Sequence, residues 1–77
     1  MFNLDLKQKI ISMDIDEGIE ITYHNSRKKI LINRTYTNRF VLKIFNVEDE
    51  YIRYINSVCD VLKFINNEGK IKKIRCY

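Results

Sequence analysis

The chain has 77 residues, 45% of them hydrophobic and 31% charged, and a formal net charge of +4. At this length roughly 60% of the unfolded surface is buried, which suits a single domain over 1–77 and leaves little room for a deep catalytic cavity. No apolar run approaches the ~18 residues of a membrane helix and no basic-then-apolar leader opens the chain, so a cytoplasmic protein without a membrane partner is expected.

In chain order, Phe2, Leu4 and Leu6 alternate as in a strand, whereas Leu6, Ile10 and Met13 have helical spacing; the segment is read as extended. An Asp16-Glu17-Gly18 turn leads into Ile19–Tyr23, which alternates at period two. A polar loop from His24 to Lys28 precedes the β-branched run Ile30-Leu31-Ile32, and Thr37-Asn38 should turn the chain into Arg39–Phe45. Loops this short favour antiparallel pairing of successive strands. Asn46 then stands as an N-cap before Val47 to Glu68, with Glu48, Asp49 and Glu50 in the first turn and Gly69 at the far end. At 100° per residue, Val47, Tyr51, Ile55, Val58, Leu62 and Ile65 share one stripe, so a single long helix over about 47–68 is predicted. Phe64 falls about 100° from the centre of that stripe. Lys70 to Tyr77 is rich in β-formers and should return to the sheet. The expected fold is α+β: an antiparallel sheet of about four or five strands with one helix on one face. The other face is left to water or a partner.

Charge is segregated along the chain. Residues 1–20 hold Lys7 and Lys9 against Asp5, Asp14, Asp16, Glu17 and Glu20. Residues 21–45 hold Arg27, Lys28, Lys29, Arg34, Arg39 and Lys43 and no acid. Residues 46–69 return to acidic excess, and 70–77 add Lys70, Lys72, Lys73 and Arg75 without an acid. Summed like charges attract an anionic partner over a Debye length, whereas mixed charges do not.

The chemistry-bearing residues are sparse. His24 is the lone histidine and sits in a predicted loop, and Cys59 and Cys76 show no Cys-x-x-Cys spacing. Structural zinc wants four ligands, so neither a metal nor another cofactor is expected. Cys59 falls on the apolar helix stripe, where a thiol acts as a small hydrophobe, and both thiols are read as reduced. Asp14/Asp16 flank a turn and Glu48/Asp49/Glu50 start a helix, so each acidic cluster has a structural explanation. With Gly18 and Gly69 as the only glycines there is no phosphate-cradling loop. No catalytic residue is assigned.

Cations and aromatics interleave on the predicted strands. Arg34, Arg39, Lys43, Lys72, Lys73 and Arg75 supply charge, Tyr36 and Tyr77 supply arginine-compatible aromatic anchors, and Phe64 offers an anchor on the helix side. If the last strand lies beside a basic strand, these charges merge into one patch. Ile is the commonest residue, Lys and Asn are frequent, and Ala, Pro and Trp are absent. In size and composition the chain thus resembles the small proteins of A+T-rich phages and mobile elements, including the anti-CRISPR group. That resemblance implies a non-enzymatic binding protein that inhibits a host protein or nucleoprotein complex by occlusion. The alternative is direct nucleic-acid binding by the basic and aromatic sheet surface. A homodimer is a further expectation.

Overall fold

Period-two alternation sorts the strand residues onto opposite faces, and the computed structural model, which describes residues 4–24, 27–36 and 39–77, shows the result. The elements are α1 (Leu4–Ser12), β1 (Gly18–Tyr23), β2 (Lys29–Tyr36), β3 (Arg39–Phe45), β4 (Glu50–Ile55), α2 (Val58–Asn67) and β5 (Ile71–Cys76). All strand pairs are antiparallel, in a five-stranded sheet of order β4-β3-β2-β1-β5. The expected α+β class and the returning last strand are therefore both present. Phe2 and the Thr37-Asn38 turn lie outside the described residues.

One face of the sheet carries the core. Ile19, Ile21 and Tyr23 of β1, Ile30 and Ile32 of β2, and Phe40, Leu42 and Ile44 of β3 are buried there. They join Leu6 and Ile10 of α1, Met13 just beyond it, and Val61, Leu62 and Ile65 of α2 in one cluster. Each such side chain contributes about 1.5–3 kcal/mol on leaving water. Both helices sit on this face, so the opposite face remains open even though the chain has a second helix.

The long helix over 47–68 is not formed. Its first half is β4, and α2 begins at Val58 with Ser57 as N-cap, the hydroxyl accepting from the Asp60 N–H at 3.3 Å. Tyr51, Ile52, Tyr54 and Ile55 are aromatic or β-branched, and such side chains fit a pleated surface beside β3 better than a helix turn. Asn46 accordingly closes a hairpin. Its N–H donates to the Asp49 carbonyl at 2.8 Å and its side-chain amide donates to the Asp49 carboxylate at 3.2 Å. Gly69 keeps its expected role at the helix end, with φ +142°, a conformation that a side chain strains.

The amino-terminal segment, read as extended, is helical from Leu4. Its anchor is tertiary. Arg34 of β2 reaches across and donates to the carbonyls of Met13 at 2.8 Å and Ile10 at 3.2 Å. They lie at and just beyond the end of α1, where the helix runs out of its own donors, although Ile10 keeps a long bond from the Met13 N–H at 3.4 Å.

Tyr23 ties the sheet to α2. Its buried hydroxyl donates to the Ile65 carbonyl at 2.8 Å. Burial holds the phenol above its ordinary value of 10.0, and the charge of Glu68 adds to the effect. Tyr23→Phe should cost about 1 kcal/mol at neutral pH by leaving that carbonyl short of a donor. The unfolded phenol ionises near pH 10 while the folded one stays neutral, so its contribution is complete below pH 10 and is lost above it. The stability gap between wild type and Tyr23→Phe should therefore narrow above pH 10. Urea melts from pH 8 to 11 would show it; a gap independent of pH would contradict the assignment.

Candidate functional site

The open face follows from the strand register. Across the sheet, Glu50, Phe45, Lys29, Thr22 and Lys73 stand in one row. Ile52, Lys43, Leu31, Glu20 and Arg75 form the next, followed by Tyr54, Val41, Asn33 and Gly18. Arg39 and Tyr36 pair at the far end of β2 and β3. Leu31, Val41 and Phe45 are half-buried, whereas Ile52, Tyr54 and Tyr36 are exposed. Apolar side chains thus extend from β4 to β2 with Lys43 among them, and Glu20, further cations and tyrosines flank them.

Cations lie against rings at three points on this face. Lys29 Nζ is 5.6 Å from the Phe45 ring centre, the Arg39 guanidinium 5.6 Å from Tyr36, and the Arg75 guanidinium 5.5 Å from Tyr77. Such pairs are worth about 0.5–1 kcal/mol when exposed and hold a flexible cation in a defined place. Tyr77 lies over Gly18: a Cβ built there would stand 3.5 Å from the ring and 3.0 Å from the Asn33 side-chain nitrogen. The Tyr77 hydroxyl donates to Glu20 at 2.6 Å, and that hydrogen bond is the leading cause of the rise in its pKa. Glu20 also lies 3.9 Å from Lys29 Nζ. The acid at the centre is therefore shared, leaving Lys43, Lys73 and Arg39 to set the field. Beside them, Lys43, Phe45, Glu50, Tyr51 and Ile52 line a depression of about 380 Å³.

Of the residues expected to bind a partner, Tyr36, Arg39, Lys43, Lys73, Arg75 and Tyr77 meet on this face. Arg34 does not, because its guanidinium turns to the helix face, where it binds α1 carbonyls over the Phe40 ring at 5.1 Å. Phe64 does not either. It is half-buried against the core, with the Arg53 guanidinium 5.1 Å from its ring centre. Its offset from the apolar stripe is real, but Arg53 reaches from β4 to that flank of α2. Phe64→Ser, harmless on an exposed position, would here remove core packing. Lys72 sits where the β1–β5 register shifts, exposed at the sheet edge. Cys59, expected on the apolar stripe, is exposed, as is Cys76.

Lys29, Leu31, Val41, Phe45, Ile52 and Tyr54 were not singled out from the sequence as partner-binding, yet they build much of the face. The phase of β2 and β3 shows the first four, since each alternates with a core residue. Ile52 and Tyr54 were hidden inside the assigned helix. The merger of charges also differs from expectation: β5 pairs with β1, whose Glu20 stands between Arg75 and the basic strands.

No protein-family model, curated protein or solved structure matches the chain. Among the described residues, no helix is long and apolar enough to cross a membrane. Among the same residues, no His, Cys, Asp or Glu cluster is placed to hold a metal ion.

Proposed function

We propose that this is a non-enzymatic binding protein that docks through its open sheet face on a larger host protein or nucleoprotein complex and occludes it. The observation that carries this reading is the group of Leu31, Val41, Phe45 and Ile52 on the open face, interleaved with Lys43 and flanked by arginine and tyrosine. Such a mixture suits a protein interface: apolar groups that can be desolvated, and charged neighbours that orient the approach. A face without reactive groups acts on a partner by covering it. The exposed free thiols of Cys59 and Cys76 suit a reducing cytoplasm, and the A+T-biased composition suits a phage or mobile element.

Tyr54 is the expected hot spot, being 71% exposed beside Val41. Tyr54→Ala should weaken partner binding by about 2 kcal/mol, roughly 30-fold, with little change in melting temperature. The test is affinity capture from host lysate with wild type, Tyr54→Ala, Lys43→Glu and the α2 control Lys63→Glu. A stoichiometric protein retained by wild type and Lys63→Glu but lost by the face variants supports the reading. Recovery of none, or retention indifferent to the face, overturns it.

The cation–aromatic pairs favour a second reading, direct binding of single-stranded nucleic acid, because bases stack on rings while cations neutralise phosphates. Oligonucleotide titrations at two salt concentrations separate the two. Micromolar binding that falls linearly on a log–log salt plot and is lost in Lys43→Glu/Arg75→Glu would promote the second reading.

A further inference from the structure

The two edges of the sheet are built differently. β5 carries Lys72, Lys73 and Arg75, no acid, and an irregular register against β1. Charged side chains and irregularities of this kind block edge-to-edge pairing. β4, at the other edge, reads Glu50-Tyr51-Ile52-Arg53-Tyr54-Ile55 with one acid and one base. Tyr51 is 41% exposed and Ile52 50%, and the pairing with β3 is unbroken from Glu50 to Ile55. No proline, lysine or bulge interrupts it. A regular, neutral, apolar edge strand offers its outward N–H and C=O groups to another strand.

We infer that β4 pairs antiparallel with β4 of a second copy, joining two sheets across a two-fold axis at Ile52. The self-complementarity of the strand identifies the occupant. In a continuous antiparallel sheet, opposed residues share a face, so only registers that match open face to open face are allowed. Centring the pair on Arg53 sets two guanidinium groups opposite one another, which is unfavourable. Centring it on Ile52 opposes Ile52 to its own counterpart and Glu50 to Tyr54 of the second copy on the open face. On the helix face it opposes Tyr51 to Arg53 of the second copy, a cation–aromatic pair. Every opposed pair then matches in charge or polarity. The two open faces become one, and the helices of both copies stay on the other side. A two-fold contact of this kind closes at the dimer.

The experiment uses sedimentation of the full chain over a range of concentrations, with paired cysteine cross-linking. Wild type should reach twice the 9.3 kDa chain mass as concentration rises. Ile52→Lys sets like charges against each other on the axis and should raise the dissociation constant about tenfold or more, with an unchanged circular dichroism spectrum. In a Cys59→Ser/Cys76→Ser background, Ile52→Cys opposes its own counterpart at about 4.5–5.5 Å between Cα atoms and should oxidise to a disulfide dimer. Tyr54→Cys, roughly 13 Å from its counterpart, should not. A chain that stays monomeric to millimolar concentration overturns the inference. So does a dimer indifferent to Ile52→Lys, or one cross-linked as readily through Tyr54→Cys. An open polymer also overturns it, since that would signal β4 pairing head to tail with β5. Lys43→Glu should leave the dimer intact, which separates this outcome from the fate of the docking face.

Discussion

Phe40→Ala should lower stability by about 3–5 kcal/mol. Phe40 heads the fully buried side chains by volume, and no part of it is exposed. It stands on β3 between Arg34 of β2 and Ile55 of β4, in a core that both helices cover. Removing the ring leaves a cavity beneath a helix and strips the Arg34 guanidinium of its aromatic neighbour. A domain of this length has about 4–12 kcal/mol to lose, so the variant should be close to unfolded. At ~4–8 °C for each kcal/mol, the melting temperature should fall by about 15 °C or more. Thermal and urea melts followed by circular dichroism test this. A loss below about 1.5 kcal/mol would mean that the surrounding side chains collapse into the space, and that the core is looser than its burial implies.

Arg34→Met should have the next largest effect, localised to one element. The methionine keeps most of the apolar stem and removes both hydrogen bonds, stranding the Met13 carbonyl and leaving the Ile10 carbonyl with only the Met13 N–H at 3.4 Å. Hydrogen bonds from a charged donor contribute about 1.5–3 kcal/mol each, part of which solvent recovers at this half-buried site. A net cost of about 2–3 kcal/mol follows. Arg34 Nε is itself buried without a hydrogen-bond partner, a penalty that the methionine relieves and that limits the loss. Because the bonds are to Ile10 of α1 and to Met13 just beyond it, amide hydrogen exchange should accelerate in Leu4–Ser12 while β2 and β3 stay protected. Arg34→Lys should restore part of the protection, since an ammonium makes a point contact where the guanidinium spans two carbonyls. Uniform acceleration across the chain would show that Arg34 supports the whole fold and is no specific clamp on the helix.

Much of the open face was legible before the structure. The alternation of Ile19–Tyr23 and Arg39–Phe45 assigns each residue to one face or the other, because the pleat has a fixed period of two. Placing Tyr36, Arg39, Lys43, Lys73 and Arg75 on sheet strands, with Tyr77 just past the last, followed from that local rule and from the β-forming carboxyl terminus. The opposite was true wherever a residue's environment came from a distant element. Val47 to Glu68 satisfies a helical stripe as a string of letters, but the β-branched and aromatic half of it gains more from pairing with β3. That gain depends on an edge being vacant, which no window of sequence reveals. Leu6, Ile10 and Met13 display helical spacing, yet the decision for helix rested on Arg34, 21 residues downstream of Met13, meeting the freed carbonyls. Arg34 reads locally as one more surface cation among the basic strands. Its phase with Ile30 and Ile32 turns it inward, and only the packed fold supplies a partner there. By itself, then, the sequence determined β1, β2, β3 and β5, their alternation and the bias of charge along the chain, because these are properties of neighbouring residues. The tertiary structure decided which cations stand on the open face and which hold a helix, where strand gives way to helix at Asn56 and Ser57, and which sheet edge stays open, because each is a competition between segments for the same surface.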